Sequence, residues 1–510
     1  MKSTNILLAG TVGAFSVLAA NQALAQKSQD VLRFAITEPY KGLSGYFYPA
    51  TEASQFYRTI YQMLIRFDEY KGKLVPQLAK SWKRIDDTTI EFELRDDVKF
   101  HNGNAFNADD VLYAIKMAAD PKNKFAFKGR FKWIKNAEKL GPYKVRVTGK
   151  KLNAGDFMHF AYRSFMIDAE THRAHANGAD YGRMTPVGTG AYKVVDFDRN
   201  RGVTVERFAG FKGIGRAPIK RVKAVFIPDQ ETQIAQLLTG GVDVVRNISN
   251  DNAKGIEGNS KLSVSAVDSI TMTYFMMDAA GRSGKKELTD LRVRKALAMA
   301  INRRAIKKAV IPGGKSAKLA KALCFASMVG CTHSVETAPY DPAAAKRLLA
   351  EAGYPNGFDL EITAHIIVKD VATAIAGDLR KIGVRASIQP MTTVAMRKKR
   401  ASGKMQAFSG YYPNGSLPDV ANALNVYFGA KSRDYARDPV IHKGMNAGKQ
   451  THDLAARKAA YGKVFDRISR NAYIVPIASL PIIYGHSSEI SVKPNLITAN
   501  ELHISDFFWK

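Results

Sequence analysis

Residues 74–116 read LVPQLAKSWKRIDDTTIEFELRDDVKFHNGNAFNADDVLYAIK, and three patterns follow one another along them. Residues 88–95 alternate apolar and polar, with Ile90, Phe92 and Leu94 on one side, the period of a strand buried on one face. Residues 96–106 place Asp, Asn and Gly at turn positions and predict a loop. Asn107 then caps a helix. Asp109 and Asp110 sit in its first turn, where carboxylates complement the helix dipole, and Val111, Leu112 and Ile115 form its apolar stripe.

Strands and helices alternate outward from this stretch. Val31 to Ile36 is an apolar run that predicts a first strand. Residues 53–67 form an amphipathic helix, or a helix followed by a strand, and residues 143–147 alternate as a strand. The first half-domain ends near Tyr181. Residues 185–207 carry a GTG turn and a hairpin, with Gly188 and Gly190 expected to supply backbone angles that other residues resist. The GTG lacks the spacing of either phosphate-binding glycine motif, so a structural role is expected. Residues 219–245 read as strand, helix and strand, with Gly240 and Gly241 stopping the helix. Farther on, Asp341 and Pro342 open a capped helix that Gly353 ends. A second strand–helix–strand unit follows over residues 358–390, and residues 452–472 form a late helix. The alternation predicts an α/β protein.

The chain has 510 residues, more than one core can use, so two or three lobes are expected. Lys2, the apolar residues 6–20 and Ala23-Leu24-Ala25 read as a signal peptide cleaved after Ala25, with no cysteine at the new N-terminus for a lipid anchor. No later stretch is apolar enough for long enough to span a bilayer. A periplasmic protein is therefore expected. The two cysteines, Cys324 and Cys331, stand close together in CFASMVGC. An oxidising compartment favours a disulfide over two buried thiols. The formal net charge of +30 is spread along the whole chain without a zinc-finger or RNA-binding signature. It implies a solvated basic surface with some attraction for anionic solutes, and nucleic acid is not an expected partner. The ten histidines form no metal-binding helix and no nucleophile elbow is present, so neither an enzyme, a metal site nor a cofactor is predicted.

The opening stretch resembles the signature region of the family 5 extracytoplasmic solute-binding proteins of ABC importers, the dipeptide, oligopeptide and nickel binders. Pro76, Leu78, Ala79, Ser81, Trp82, Phe92, Leu94, Arg95, Val98, Phe100, His101, Gly103, Phe106, Ala108, Asp110 and Val111 all fall in its register. The PVGTG segment, with Ala191 where proline is common, also fits. So do Asp243 and the helix of residues 290–303, whose arginines are expected to bridge structure rather than clamp a ligand. The resemblance covers most of residues 30–480. It implies two α/β lobes in a periplasmic-binding-protein fold, with an extra subdomain inserted in the first lobe. The implied division is a signal peptide at 1–25, the first lobe at 26–55, the inserted subdomain at 56–184, the first lobe again at 185–270, the second lobe at 271–477 and a return to the first lobe at 478–510. It also implies a monomer that closes on a peptide or peptide-like solute and delivers it to an inner-membrane ABC permease. A non-peptide solute, or a secreted binding or chaperone-like role without transport, is the alternative.

The same resemblance places the site. Family peptide binders read G-W-x-x-D-x-x-D-P-D in the second lobe, where an aspartate pairs with the peptide ammonium. Here Tyr411 stands for the tryptophan, Asn414 for that aspartate and Leu417 for the second one; only Pro418 and Asp419 match. A buried ammonium needs a compensating charge, which an amide lacks. A free peptide amine is therefore disfavoured unless Asp419 or another acid takes over. Tyr411, Tyr412, Asn414 and Asp419 are the expected ligand contacts, with Tyr274 from the run entering the second lobe. Tyr46 and Tyr48, in the aromatic loop after the first strand, either wall the cleft or pack the loop onto its own lobe.

Overall fold

The structure, a computed structural model, describes residues 27–46, 53–123, 131–175, 186–213, 216–412, 417–429, 432–494 and 502–510. The leader of residues 1–25, Tyr48, Tyr181 and Asn414 lie outside the described residues.

Three sheets of four or more strands carry the described residues, beside two two-stranded ones. The largest has seven strands in the order Leu262–Val267, Ile482–Ser487, Val244–Arg246, Val31–Ile36, Arg221–Phe226, Gly202–Arg207 and Tyr192–Asp198. A five-stranded sheet has the order Arg385–Met391, Asp359–His365, Ala407–Tyr412, Met272–Met277 and Ile474–Ser479. The third, of four antiparallel strands, is built within residues 79–149 and belongs to the inserted subdomain. The protein is thus α/β and two-lobed, with a subdomain set into the first lobe.

The signature stretch forms the heart of that subdomain. Strand Thr89–Leu94 lies between Ala79–Arg84 and Lys144–Gly149. Ile90, Phe92 and Leu94 are fully enclosed, and Phe92 meets Phe160 edge-on at 5.0 Å. Helix Ala108–Ala119 follows. Asn107 Oδ1 accepts from Asp109 N at 2.7 Å, and Asp110 Oδ2 accepts from Asn107 N at 3.0 Å, a reciprocal cap. The other oxygen of Asp110 accepts from Ala169 N at 3.0 Å. Burial raises this carboxyl to about 6.

The two clearest sequence motifs meet at the seam between subdomain and first lobe. His101 Nδ1 accepts from Gly188 N at 3.2 Å, and its Nε2–H donates to Gly190 O at 3.0 Å, which fixes the neutral tautomer. Burial pushes His101 down to about 4. The reason for glycine here differs from the one expected. Neither Gly188 nor Gly190 has a positive φ. A Cβ on either would instead overlap the backbone carbonyls of Ile60 and Thr59 at the end of helix Ser54–Ile60. The GTG is a place where two backbones touch.

Ion pairs elsewhere are scaffold. Asp243 receives Arg33 through its backbone N (2.7 Å), Nε (3.1 Å) and Nη2 (2.8 Å), tying two adjacent strands of the large sheet. Arg292 pairs with Asp290 at 2.7 Å, while Arg294 donates to the carbonyls of Leu288, Thr289 and Asn471. Cys324 and Cys331 are joined, with Cα atoms 5.8 Å apart. Their loop lies against the segment before helix Val420–Phe428: Val329 N donates to Pro418 O at 2.7 Å and Val420 N to Val329 O at 3.1 Å.

Candidate functional site

The sheet topology locates the cleft. In the first lobe, strands Val31–Ile36, Arg221–Phe226 and Val244–Arg246 run parallel, so their carboxyl ends share one edge. In the second, Asp359–His365, Arg385–Met391 and Ala407–Tyr412 do the same. The chain leaves the first sheet at Val267 and enters the second at Met272; it leaves the second at Ser479 and re-enters the first at Ile482. All four residues sit on those same carboxyl edges: Val267 pairs with Ile482, and Met272 with both Tyr412 and Ser479. The crossings are residues 268–271 and 480–481. Segments this short reach only about 3.5 Å per residue, so the two carboxyl edges face each other. In α/β sheets, ligands bind outside the carboxyl ends of the strands. The crossings themselves are bonded together, with Leu480 N donating to Thr271 O at 2.9 Å and Ser269 Oγ to Leu480 O at 2.7 Å.

The second lobe's edge is formed by His365, Met391 and Tyr412 at the strand ends. Alternation along Ala407–Tyr412 separates two expected contacts. Tyr412 lies on the face with Phe408 and Tyr274, whereas Tyr411 packs against the opposite face. Tyr411 is partly exposed and meets His365 edge-on at 4.9 Å. His365 Nε2 bonds Thr393 Oγ1 at 2.8 Å, and burial holds its imidazole below the ordinary range. Burial also raises the Tyr411 hydroxyl, against the pull of nearby Arg397. Beyond His365, Ile366, Ile367 and Val394 are exposed at 51%, 65% and 78%, an apolar shelf at this edge. The first lobe's edge contributes Arg246, the last residue of its strand.

Four expected contacts belong to the interior, Tyr412 among them. Tyr46 is buried between Phe131 and Phe165, and its hydroxyl donates to Phe165 O at 2.9 Å. It anchors its loop instead of walling the cleft. Tyr274 is enclosed beneath helix Val420–Phe428, 5.0 Å from Tyr427, and Tyr412 meets the same ring at 5.5 Å. Asp419 is buried and caps that helix through Ala421 N at 2.9 Å. Both of its oxygens also accept from Arg457 Nη2, at 3.1 and 2.9 Å. Its carboxylate is taken up by the scaffold, because a buried carboxylate must be paired. Arg400, whose guanidinium lies 4.8 Å from Tyr427 and 5.8 Å from Phe408, completes the layer. The sequence reading missed His365, Arg397 and Arg246. His365 and Arg246 could have been signalled only by their places at strand ends, once the strands are known to be parallel, and Arg397, inside helix Thr393–Ala401, left no such signal. Among the described residues, no group of three or more His, Cys, Asp or Glu is placed to hold a metal ion. No described helix is long and apolar enough to cross a membrane.

Comparison with known proteins agrees with this architecture. The chain is 27% identical over 453 residues to the glutathione-binding protein GsiB of Pectobacterium atrosepticum, covering 85% of both chains. The structure of DppA from Helicobacter pylori, an ABC transporter-associated periplasmic binding protein in complex with the peptide STSA, superposes with a TM-score of 0.74 at 21% identity, covering 95% of this chain and 99% of that one. That of AgaA in complex with agropinic acid, from A. tumefacien R10, gives 0.71 at 22%, covering 94% of this chain and 99% of that one. The family model of the bacterial extracellular solute-binding proteins, family 5, matches residues 73–434. The chain belongs to that family, the ligand-binding components of ABC importers.

Proposed function

We propose that this chain is the periplasmic binding component of an ABC importer, capturing a peptide or peptide-like solute between its lobes as a monomer and delivering it to an inner-membrane permease. The signal peptide, cleaved after Ala25, takes it to the periplasm. Closure about the two crossings is a ligand-driven shift between open and closed forms. One observation carries the ligand reading. The aspartate retained in the ligand segment, Asp419, is held on both oxygens by Arg457, and Asn414 stands at the position of the family's ammonium-binding aspartate. A free α-amine therefore loses its usual counter-charge, and the favoured solute is one whose amine is acylated, conjugated or absent. Arg397, close to Tyr411 on the second lobe's edge, suits a carboxylate on that solute. A wholly non-peptide anionic or neutral solute is the second reading, favoured by the same substitution and by the positive balance of the chain. The likeness to a glutathione-binding protein and to binding proteins in complex with a peptide and with agropinic acid supports a ligand of this general size.

A thermal-shift panel of free-amine di- and tripeptides, glutathione, sugars, organic acids and opine-type conjugates tests this. Conjugated or anionic members should stabilise the wild type, and free-amine peptides should not. Asn414→Asp should move the preference toward free amines by about tenfold to a hundredfold in affinity, the worth of one charge-assisted hydrogen bond. Tight wild-type binding of unmodified dipeptides that requires the free amine would overturn the Asn414 argument.

A further inference from the structure

A second polar site lies away from the cleft, at the seam of first lobe and subdomain. A cavity of about 40 Å³ is lined by Arg58, Gln62, Arg66, Glu69, Arg216 and His503, among others. By the usual measure of about 10–15 Å³ per water it has room for about three waters or one small ion. It adjoins an open bowl through Gln77, which lines both.

Two features make it unusual. Gln62 is 1% exposed, yet neither its Oε1 nor its Nε2 has a hydrogen-bond partner in the structure. A buried amide with both ends unmet is costly and points to an occupant. The second feature is charge. Glu69 accepts from Arg58 Nη1 at 2.6 Å and lies 3.6 Å from Arg66 Nη2, and Arg216 lines the same cavity, so three arginines and one carboxylate line it. His503 Nε2 is 4.0 Å from Glu69 Oε1. Burial, with Arg58 and Arg66 beside it, holds His503 well below the ordinary range, so it adds no charge at neutral pH.

We propose that this cavity binds a protonated tetrahedral oxyanion, hydrogen phosphate, between the Arg58, Arg66 and Arg216 guanidiniums, Gln62 and Glu69. The donor set selects it. Arginines and Gln62 Nε2 donate to phosphate oxygens, while Glu69 and Gln62 Oε1 can only accept. Hydrogen phosphate brings one P–OH for them, and sulfate at neutral pH brings none. The bound ion ties the subdomain, through Arg58, Gln62 and Arg66, to the first lobe through Arg216.

The probe is inorganic phosphate added to the full mature chain after exhaustive dialysis against chloride, with sulfate at matched ionic strength as the comparison. Phosphate should raise the unfolding temperature more than sulfate, and calorimetry should find one phosphate site. Gln62→Leu should weaken that site about tenfold or more. Arg216→Gln, at an exposed residue whose loss leaves the core intact, should do the same and decides the matter if the first variant folds poorly. Equal stabilisation by phosphate and sulfate, or unchanged phosphate binding in Arg216→Gln, would overturn the proposal and leave the cavity to water.

Discussion

The seam between subdomain and first lobe and the carboxyl edge of the second lobe are built by opposite means. At the seam, backbone meets backbone. His101 clasps Gly188 and Gly190, which lie against the carbonyls of Thr59 and Ile60. At the second lobe's edge, side chains meet side chains: Arg457 with Asp419, Tyr411 with His365, Arg400 with Tyr427. Backbone contact tolerates few residue types, so it leaves a motif. Side-chain contact permits many solutions, so the edge can change its chemistry while the fold stays. That is where this chain departs from the family pattern.

The contrast breaks most visibly at Arg457. Arg457→Met leaves Asp419 buried without its cation, and unfolding free energy should fall by about 3–5 kcal/mol. Adding Asp419→Asn, which keeps a cap acceptor, should restore most of it in urea denaturation. A single-variant loss below about 1 kcal/mol would mean that Asp419 is free to serve a ligand.

The seam is tested by pH. His101 sits at about 4 in the folded protein against an ordinary 6.5. A depressed folded value means that its contribution is whole above pH 6.5 and is lost as pH falls toward 4, of the order of 3 kcal/mol at about 1.4 per unit. His172, held at about 4 mainly by burial, acts in the same direction. Asp110 and Asp506, raised to about 6 by burial, act oppositely, losing stability as pH rises through 6. The His101 part is isolated by His101→Gln. The advantage of wild type over variant should shrink steadily between pH 6.5 and 4, and a constant difference would contradict the tautomer assigned to the seam.

The disulfide sharpens the other side. Non-reducing peptide maps should join Cys324 to Cys331. Replacing both by serine should cost about 2–3 kcal/mol by loop entropy, with ligand affinity reduced because the loop braces Pro418 to Val420.

Much of the fold was legible because periodicity and caps are local. The strand through Ile90, Phe92 and Leu94 and the Asn107 cap are where the pattern put them. The family register likewise fixed the two lobes. The site was less legible for physical reasons. Tyr411 and Tyr412 are neighbours in sequence but point to opposite faces, and only the register decides which meets solvent. Tyr46 and Tyr274 are amphipathic rings whose burial depends on partners more than 80 residues away, such as Phe165 and Tyr427 (separations of 119 and 153). Arg400 lies in a run of cations that reads as a solvated face, yet it lies against two rings.

The smallest effect on stability is expected at Tyr411. As a partly exposed ring at the edge, Tyr411→Ala should change unfolding free energy by about 1 kcal/mol or less. It should weaken the best solute of the thermal-shift panel about tenfold, which separates a cleft residue from a core one. An unchanged affinity would remove Tyr411 from the site.

The central claim is that a solute is held between the facing carboxyl edges by closure about residues 268–271 and 480–481. Small-angle X-ray scattering of the mature chain tests it most directly. The measurement compares the free protein with the protein saturated by the panel's best binder, its binding confirmed by calorimetry. The radius of gyration should fall on saturation, and the Tyr411→Ala variant should need proportionately more solute to reach the same compact form. An identical scattering curve with and without bound solute would contradict closure and the importer role that rests on it.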